Sequence, residues 1–278
     1  MQTSRRSVLK SLALVGTTAT LGSAAFAGTA AAERTQWALV RVAHASPDAP
    51  NVDVYVNEQR VLADVPFKAV SDYLPLPVGT YTVKITAAGD EDTVAFNGDV
   101  TVERNVYTIA AIGELTEGTF RPLVLVDTLR RVRGKNARIR VVHASPDAPA
   151  VDVTVVDGAV TLFDGPAFGD VAEYIEVPAG SYDVQIRGDT AGNDGPVVGT
   201  FPVTLDRGDI YTVFAMGYLT PDDEPAANPF DLVVAVDRDA RRPRRRPARR
   251  WLRRYQSDRK DDDDRDDKER DDHDEDDD

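Results

Sequence analysis

The stretch Tyr73-Leu-Pro-Leu-Pro-Val-Gly-Thr-Tyr-Thr-Val-Lys-Ile85 decides the fold. Beyond its Pro-Val-Gly turn, Tyr81, Val83 and Ile85 alternate with Thr80, Thr82, Lys84 and Thr86. A period of two gives a strand one apolar and one polar face and fits no helix. The stretch returns as Tyr174-Ile-Glu-Val-Pro-Ala-Gly-Ser-Tyr-Asp-Val-Gln-Ile186, again with the tyrosine, valine and isoleucine on one face.

Upstream, the duplication is plainer still. Val40-Arg-Val-Ala-His-Ala-Ser-Pro-Asp-Ala-Pro-Asn-Val-Asp-Val54 recurs as Ile139-Arg-Val-Val-His-Ala-Ser-Pro-Asp-Ala-Pro-Ala-Val-Asp-Val153. Downstream, Tyr107 to Thr116 matches Tyr211 to Thr220, and both end in Gly-x-Leu-Thr. A period of about 100 residues is a duplicated domain, not a solenoid unit. Seven alternating runs are expected in the first copy, near 37–44, 51–57, 69–76, 80–87, 93–103, 106–113 and 121–128. Pro, Gly and Asp punctuate the gaps between them. The expected fold class is therefore all-β: two tandem immunoglobulin-like antiparallel β-sandwiches, over 33–133 and 134–237. The connector Arg130-Arg-Val-Arg-Gly-Lys-Asn136 is short and keeps the domains close neighbours.

At the ends the composition changes. Residues 4–10 read Ser-Arg-Arg-Ser-Val-Leu-Lys before an uncharged stretch to Ala32. A basic head, an apolar middle and small residues before a cut define a secretory signal. The paired arginines resemble a twin-arginine motif, with Val8 where that motif usually has Phe. Cleavage is expected after Ala32, with Ala27 as the other candidate, so 1–32 is assigned to the signal. No later run reaches the ~20 apolar residues of a membrane span. At the other end, 238–254 holds ten arginines and one aspartate, and 257–278 holds 15 acids and five bases. Such blocks bury no core, and 238–278 is expected to be a disordered tail. The basic block, with Trp251 and Tyr255, invites a nucleic-acid reading, but export and the acidic body argue against it. Membrane-surface contact and pairing with the acidic tail are the other readings of that block.

The chain carries a formal charge of −14 and no cysteine. Disulfides, thiolate metal sites and cysteine catalysis are thereby excluded. Residues 33–237 hold 31 acids and 15 bases, of which only Lys68, Lys84 and Lys135 are lysines. That balance resembles the proteins of salt-loving archaea, where a Debye length of ~3 Å at molar salt screens self-repulsion.

The doubled His-Ala-Ser-Pro-Asp-Ala-Pro-x-Val-Asp-Val string resembles the family called domain of unknown function 4397, across 37–237. The resemblance implies an extracytoplasmic β-sandwich module with no established activity. The Pro-x-Gly-x-Tyr turns also resemble those of prealbumin-like domains in surface adhesins.

Candidate chemistry is sparse. His44 and His143 stand two residues before Ser46 and Ser145, on one strand face. Each serine precedes proline, however, and no Gly-x-Ser-x-Gly elbow presents it. The expected role of the imidazole is to pin the Ser-Pro-Asp-Ala-Pro turn by a hydrogen bond. Asp48 and Asp147 are expected to cap their own turns, and Asp53 and Asp152 to point outward. Asp48 with Asp53, and Asp147 with Asp152, are weak candidates for contact with calcium, which takes six to eight oxygens. The loop Gly188-Asp-Thr-Ala-Gly-Asn-Asp-Gly195 adds Asp189, Asn193 and Asp194 to those candidates. Its spacing fits no EF-hand, and its residues are also ordinary turn formers. No phosphate-binding Gly-rich loop and no His-Glu-x-x-His is present, and three histidines make no histidine-rich metal centre. No catalytic site and no cofactor are expected. The expectation is a surface or secreted binding module whose partner is a glycan, a protein or an envelope component. A structural envelope component held by its tail is the rival reading.

Overall fold

A computed structural model describes residues 36–241. The signal segment and nearly all of the charged tail lie outside the described residues. In the first half, β1 (Trp37–His44), β2 (Val52–Val56), β3 (Gln59–Val65) and β4 (Leu74–Pro77) come first. Then follow β5 (Gly79–Ala87), β6 (Asp90–Val102), β7 (Val106–Ile112) and β8 (Arg121–Val126). The second half repeats the order with β9 (Asn136–His143), β10 (Val151–Val155), β11 (Val160–Phe163) and β12 (Ile175–Pro178). It closes with β13 (Gly180–Gly188), β14 (Val197–Leu205), β15 (Ile210–Met216) and β16 (Asp231–Arg238).

Each half is a sandwich of two four-stranded sheets. The orders are β3-β2-β5-β6 with β4-β1-β7-β8, and β11-β10-β13-β14 with β12-β9-β15-β16. Alternation sets both cores. Val52, Val54, Tyr81, Val83 and Ile85 meet Ala38, Tyr107 and Ile109 in the first, and Val151, Val153, Val184 and Ile186 meet Ile139, Tyr211 and Val213 in the second. Among the described residues no helix is long and apolar enough to cross a membrane.

Four features depart from the alternation reading. The pairs β1/β7 and β9/β15 are parallel, because the chain between those strands crosses through the opposite sheet. β3 is an additional strand, and its sequence Gln-Arg-Val-Leu-Ala-Asp-Val shows no clean alternation because it lies at a half-exposed sheet edge. The run at 69–76 is instead a lone bridge from Val70 to Ala43, followed by β4. Finally, Asp53 and Asp152 do not point into solvent: they are 2 % and 0 % exposed. Loops fold over this end of the outer face, and backbone N–H groups from those loops replace water around the two carboxylates.

The sheets containing β7 and β15 are covered on both faces, which is why these two strands read as near-continuous apolar runs. Their inner faces belong to the two cores, and their outer faces meet in a third cluster that includes Ala110, Ile112, Phe214 and Met216. The two halves thus belong to one compact unit.

Candidate functional site

The recurring motif is a clamp between two loops. His44 is fully buried at the end of β1, and its Nε2 donates to the Pro50 carbonyl at 2.9 Å. His143 does the same to Pro149 at 3.1 Å. A carbonyl only accepts, so the proton sits on Nε2. Burial holds both imidazoles below the usual histidine range, with the proline carbonyls working the other way.

Ser46 Oγ turns from the histidine and donates to the Gly113 carbonyl at 2.6 Å. Ser145 donates to Gly217 at 2.5 Å. The serines also reach Asp48 and Asp147, at 3.3 and 3.1 Å. Those aspartates do not cap their own turns, contrary to the sequence expectation. Asp48 accepts N–H bonds from Leu115 (3.0 Å) and Thr116 (2.8 Å), and Asp147 from Leu219 (2.9 Å) and Thr220 (2.8 Å). The loops after β7 and β15 offer these N–H donors, while the turn itself is braced by proline. Partial burial works against the ionised Asp48, but the Thr116 and Leu115 donors outweigh it and hold its carboxyl below the usual range. Gly113 and Gly217 have φ +87° and +91°, and a Cβ there would collide with the carbonyls of Thr119 and Pro229. One arrangement therefore accounts for both recurring strings, His-Ala-Ser-Pro-Asp-Ala-Pro and Gly-x-Leu-Thr.

Just beyond the clamp, the halves diverge. In the first, Asp53 accepts from the backbone N–H of Asp64 (2.8 Å) and Gly89 (3.2 Å), and from Arg60 at 3.1 Å. The Asp64 N–H foremost, then Gly89 and the guanidinium, hold its carboxyl below the usual range against the cost of burial. In the second, Asp152 keeps the two backbone donors, Gly165 (3.1 Å) and Thr190 (3.2 Å). The strand register places Thr161 where Arg60 stands, since Arg60 faces Tyr55 and Thr161 faces the equivalent Thr154. Matching the backbone donors puts Asp164 at the position of Ala63 and Asp189 at that of Ala88. The guanidinium is replaced by a hydroxyl, and two alanines by two carboxylates.

As a result, ligand oxygens of Asp152, Asp164 and Asp189 lie within 4.8 Å of one another. No lysine or arginine pairs with them among the described residues. The Asn193 amide, on a residue with φ +54°, lies 3.0 and 3.2 Å from the Asp152 oxygens and 3.2 Å from Asp164. With its –NH2 inward it donates to those carboxylates; with its oxygen inward it completes a set of hard oxygen donors. Of the sequence candidates, Asp152, Asp189 and Asn193 come together here, whereas Asp194 is taken up by Thr190 at 3.0 Å. Asp48 and Asp147 belong to the clamp, and Asp53 to Arg60. Asp164 was not singled out in the sequence; aligning the two halves position by position would have marked it.

The model for the family described as Domain of unknown function (DUF4397) matches twice, over residues 38–154 and 139–249. The chain belongs to this family. The second match covers the second sandwich from β9 onward, while the first covers the first sandwich and runs on through β9 into β10, so that the two overlap over 139–154. No curated protein matches the chain. Among solved structures, the Bacillus anthracis TIE protein is 14% identical, with 65% of this chain and 34% of that one covered and a TM-score of 0.21. This chain thus spans about a third of that protein's length. A CBM26 module of Eubacterium rectale Amy13K, in complex with maltoheptaose, is 8% identical, with 74% and 99% covered and a TM-score of 0.22. An alpha-glucan-binding streptococcal virulence factor is 12% identical, with 64% and 92% covered and a TM-score of 0.21. At these scores, the likenesses carry no argument about ligand.

Proposed function

We propose that this family member is a non-enzymatic, extracytoplasmic binding module whose working end is the loop cluster of the second sandwich, ordered by a hard divalent cation such as calcium. One observation carries the reading. On two copies of the same frame, the first sets a guanidinium beside its buried aspartate, and the second surrounds the equivalent aspartate with two further carboxylates and the Asn193 amide. Oxygen donors that form no ion pair, the nearby Arg187 being bonded instead to Thr154 and the Gly195 carbonyl, suit calcium better than a transition metal. Loops on a rigid frame are where binding surfaces usually sit, and a cation that fixes 188–195 and the loop after β11 would pre-organise one. The extracytoplasmic placement rests on the Arg5-Arg6 signal reading. A non-catalytic role is supported by the histidines and serines, each of which is committed to a backbone carbonyl. The partner is a surface glycan or protein.

Calcium titration of the full chain in molar KCl, followed by calorimetry, tests this. One saturable site per chain is expected, with Kd on the order of 10⁻⁴ to 10⁻³ M as in extracellular modules. The Asp164→Asn/Asp189→Asn variant is expected to lose it. Absence of saturable binding, or binding unchanged in that variant, would reject the proposal.

A further inference from the structure

The outer faces of the two sandwiches meet reciprocally. Arg41 pairs with Asp237, and its counterpart Arg140 pairs with Asp127, the counterpart of Asp237. Each guanidinium also donates to a threonine of its own sheet, Arg41 to Thr108 at 2.8 Å and Arg140 to Thr212 at 2.9 Å. Each then reaches the carbonyl before the opposing aspartate, Val236 at 3.2 Å and Val126 at 3.0 Å. Tyr73 donates to Asp127 and Tyr174 to Asp237, at 2.6 and 2.7 Å. The two tyrosine rings lie 4.7 and 4.6 Å from the guanidinium carbons of Arg41 and Arg140. Where residue i of one unit meets residue j of the other and the reverse also holds, the interface is that of a twofold dimer. Here both units are on one chain.

The polar frame is self-complementary, but the apolar centre is not. At equivalent strand positions the first half offers Ala43, Ala110, Ile112 and Leu125, and the second Val142, Phe214, Met216 and Ala235. All eight are buried in one cluster. Two first halves would bring alanine to alanine around position 110 and leave a void. Two second halves would bring a second Phe214 into the same space. Both errors are costly in close-packed interiors.

We propose that the chain is a fused dimer whose interface has diverged to select the unlike pair: each half presents a docking face that fits the other half and rejects a second copy of itself. The Arg–Asp frame sets the orientation, and the Ala110/Phe214 and Leu125/Ala235 exchanges set the choice of partner.

The test begins with the full chain carrying a protease site in the connector 128–135, cut in molar KCl and analysed by size and native mass. The cut halves should stay together as one complex of one first and one second half. When cut and isotope-labelled cut protein are mixed, exchange should yield unlike pairs at least about tenfold in excess over like pairs, a difference of ~1.4 kcal/mol. Halves that elute apart, or like pairs formed as readily as unlike ones, would overturn the proposal. In the intact chain, Ala110→Phe and Phe214→Ala should each lower the unfolding midpoint, and the double variant should recover most of the loss. A double variant that loses the sum of both single effects would overturn it as well.

Discussion

His44 and His143 illustrate how a residue's environment, not its chemical type, fixes its role. Imidazole two positions from serine is the raw material of nucleophilic catalysis, yet each group here donates to a different backbone carbonyl. The consequence is measurable. Both histidines are buried with their pKa lowered, so between the folded value and about 6.5 the unfolded chain binds protons that the folded chain does not. Their stability contribution is complete above about pH 6.5 and is lost as pH falls through that window. The slope is at most about 1.4 kcal/mol per pH unit for each histidine. Urea unfolding between about pH 7.5 and 5 should show this loss, and His44→Gln should halve the slope. An unchanged slope in that variant would mean that the imidazole does not titrate with folding.

At the scale of elements, the clamp ties the β1–β2 loop to the β7–β8 loop through Asp48, and the β9–β10 loop to the β15–β16 loop through Asp147. Asp48→Ala leaves the Leu115 and Thr116 N–H groups without their acceptor and should cost about 1–3 kcal/mol in denaturant unfolding. A loss no larger than that of an exposed aspartate would show that the loops are held by other means. Strands whose neighbours lie on one face only, such as β5 and β13, were legible as alternation. β3 was not, because it is a half-exposed edge strand whose pairing with β2 shifts register twice, so Val61, Leu62 and Val65 reach the core without a two-residue period. Nor were the parallel pairs, since alternation reports which face is buried and not which strand lies alongside. Asp53 and Asp152 were read as outward from the same alternation. Their parity is that of the outer face, but burial there comes from loops that no two-residue period encodes. Asp164 escaped for a related reason: it becomes a possible ligand only when β11 brings it beside Asp152.

At the scale of the whole molecule, duplication has separated two tasks. What recurs between the halves (the clamp, the tyrosine turns and the Arg–Asp frame) is structural; what differs is the interface centre and the loop end. The buried Arg41, Arg140, Asp127 and Asp237 are shielded from solvent ions, unlike the acidic exterior, so molar salt should relieve surface repulsion while leaving the frame intact. The central claim is that the second sandwich offers a cation site that the first has closed with Arg60. It is tested most directly by transferring that arginine. Calcium titration of Thr161→Arg should show no saturable binding, while the variant's unfolding midpoint without calcium stays at or above that of the parent, since the guanidinium now neutralises the Asp152 cluster. If Thr161→Arg folds as the parent does and still binds calcium with the parent's affinity, the loop cluster is not the site and the division of tasks between the halves is wrong.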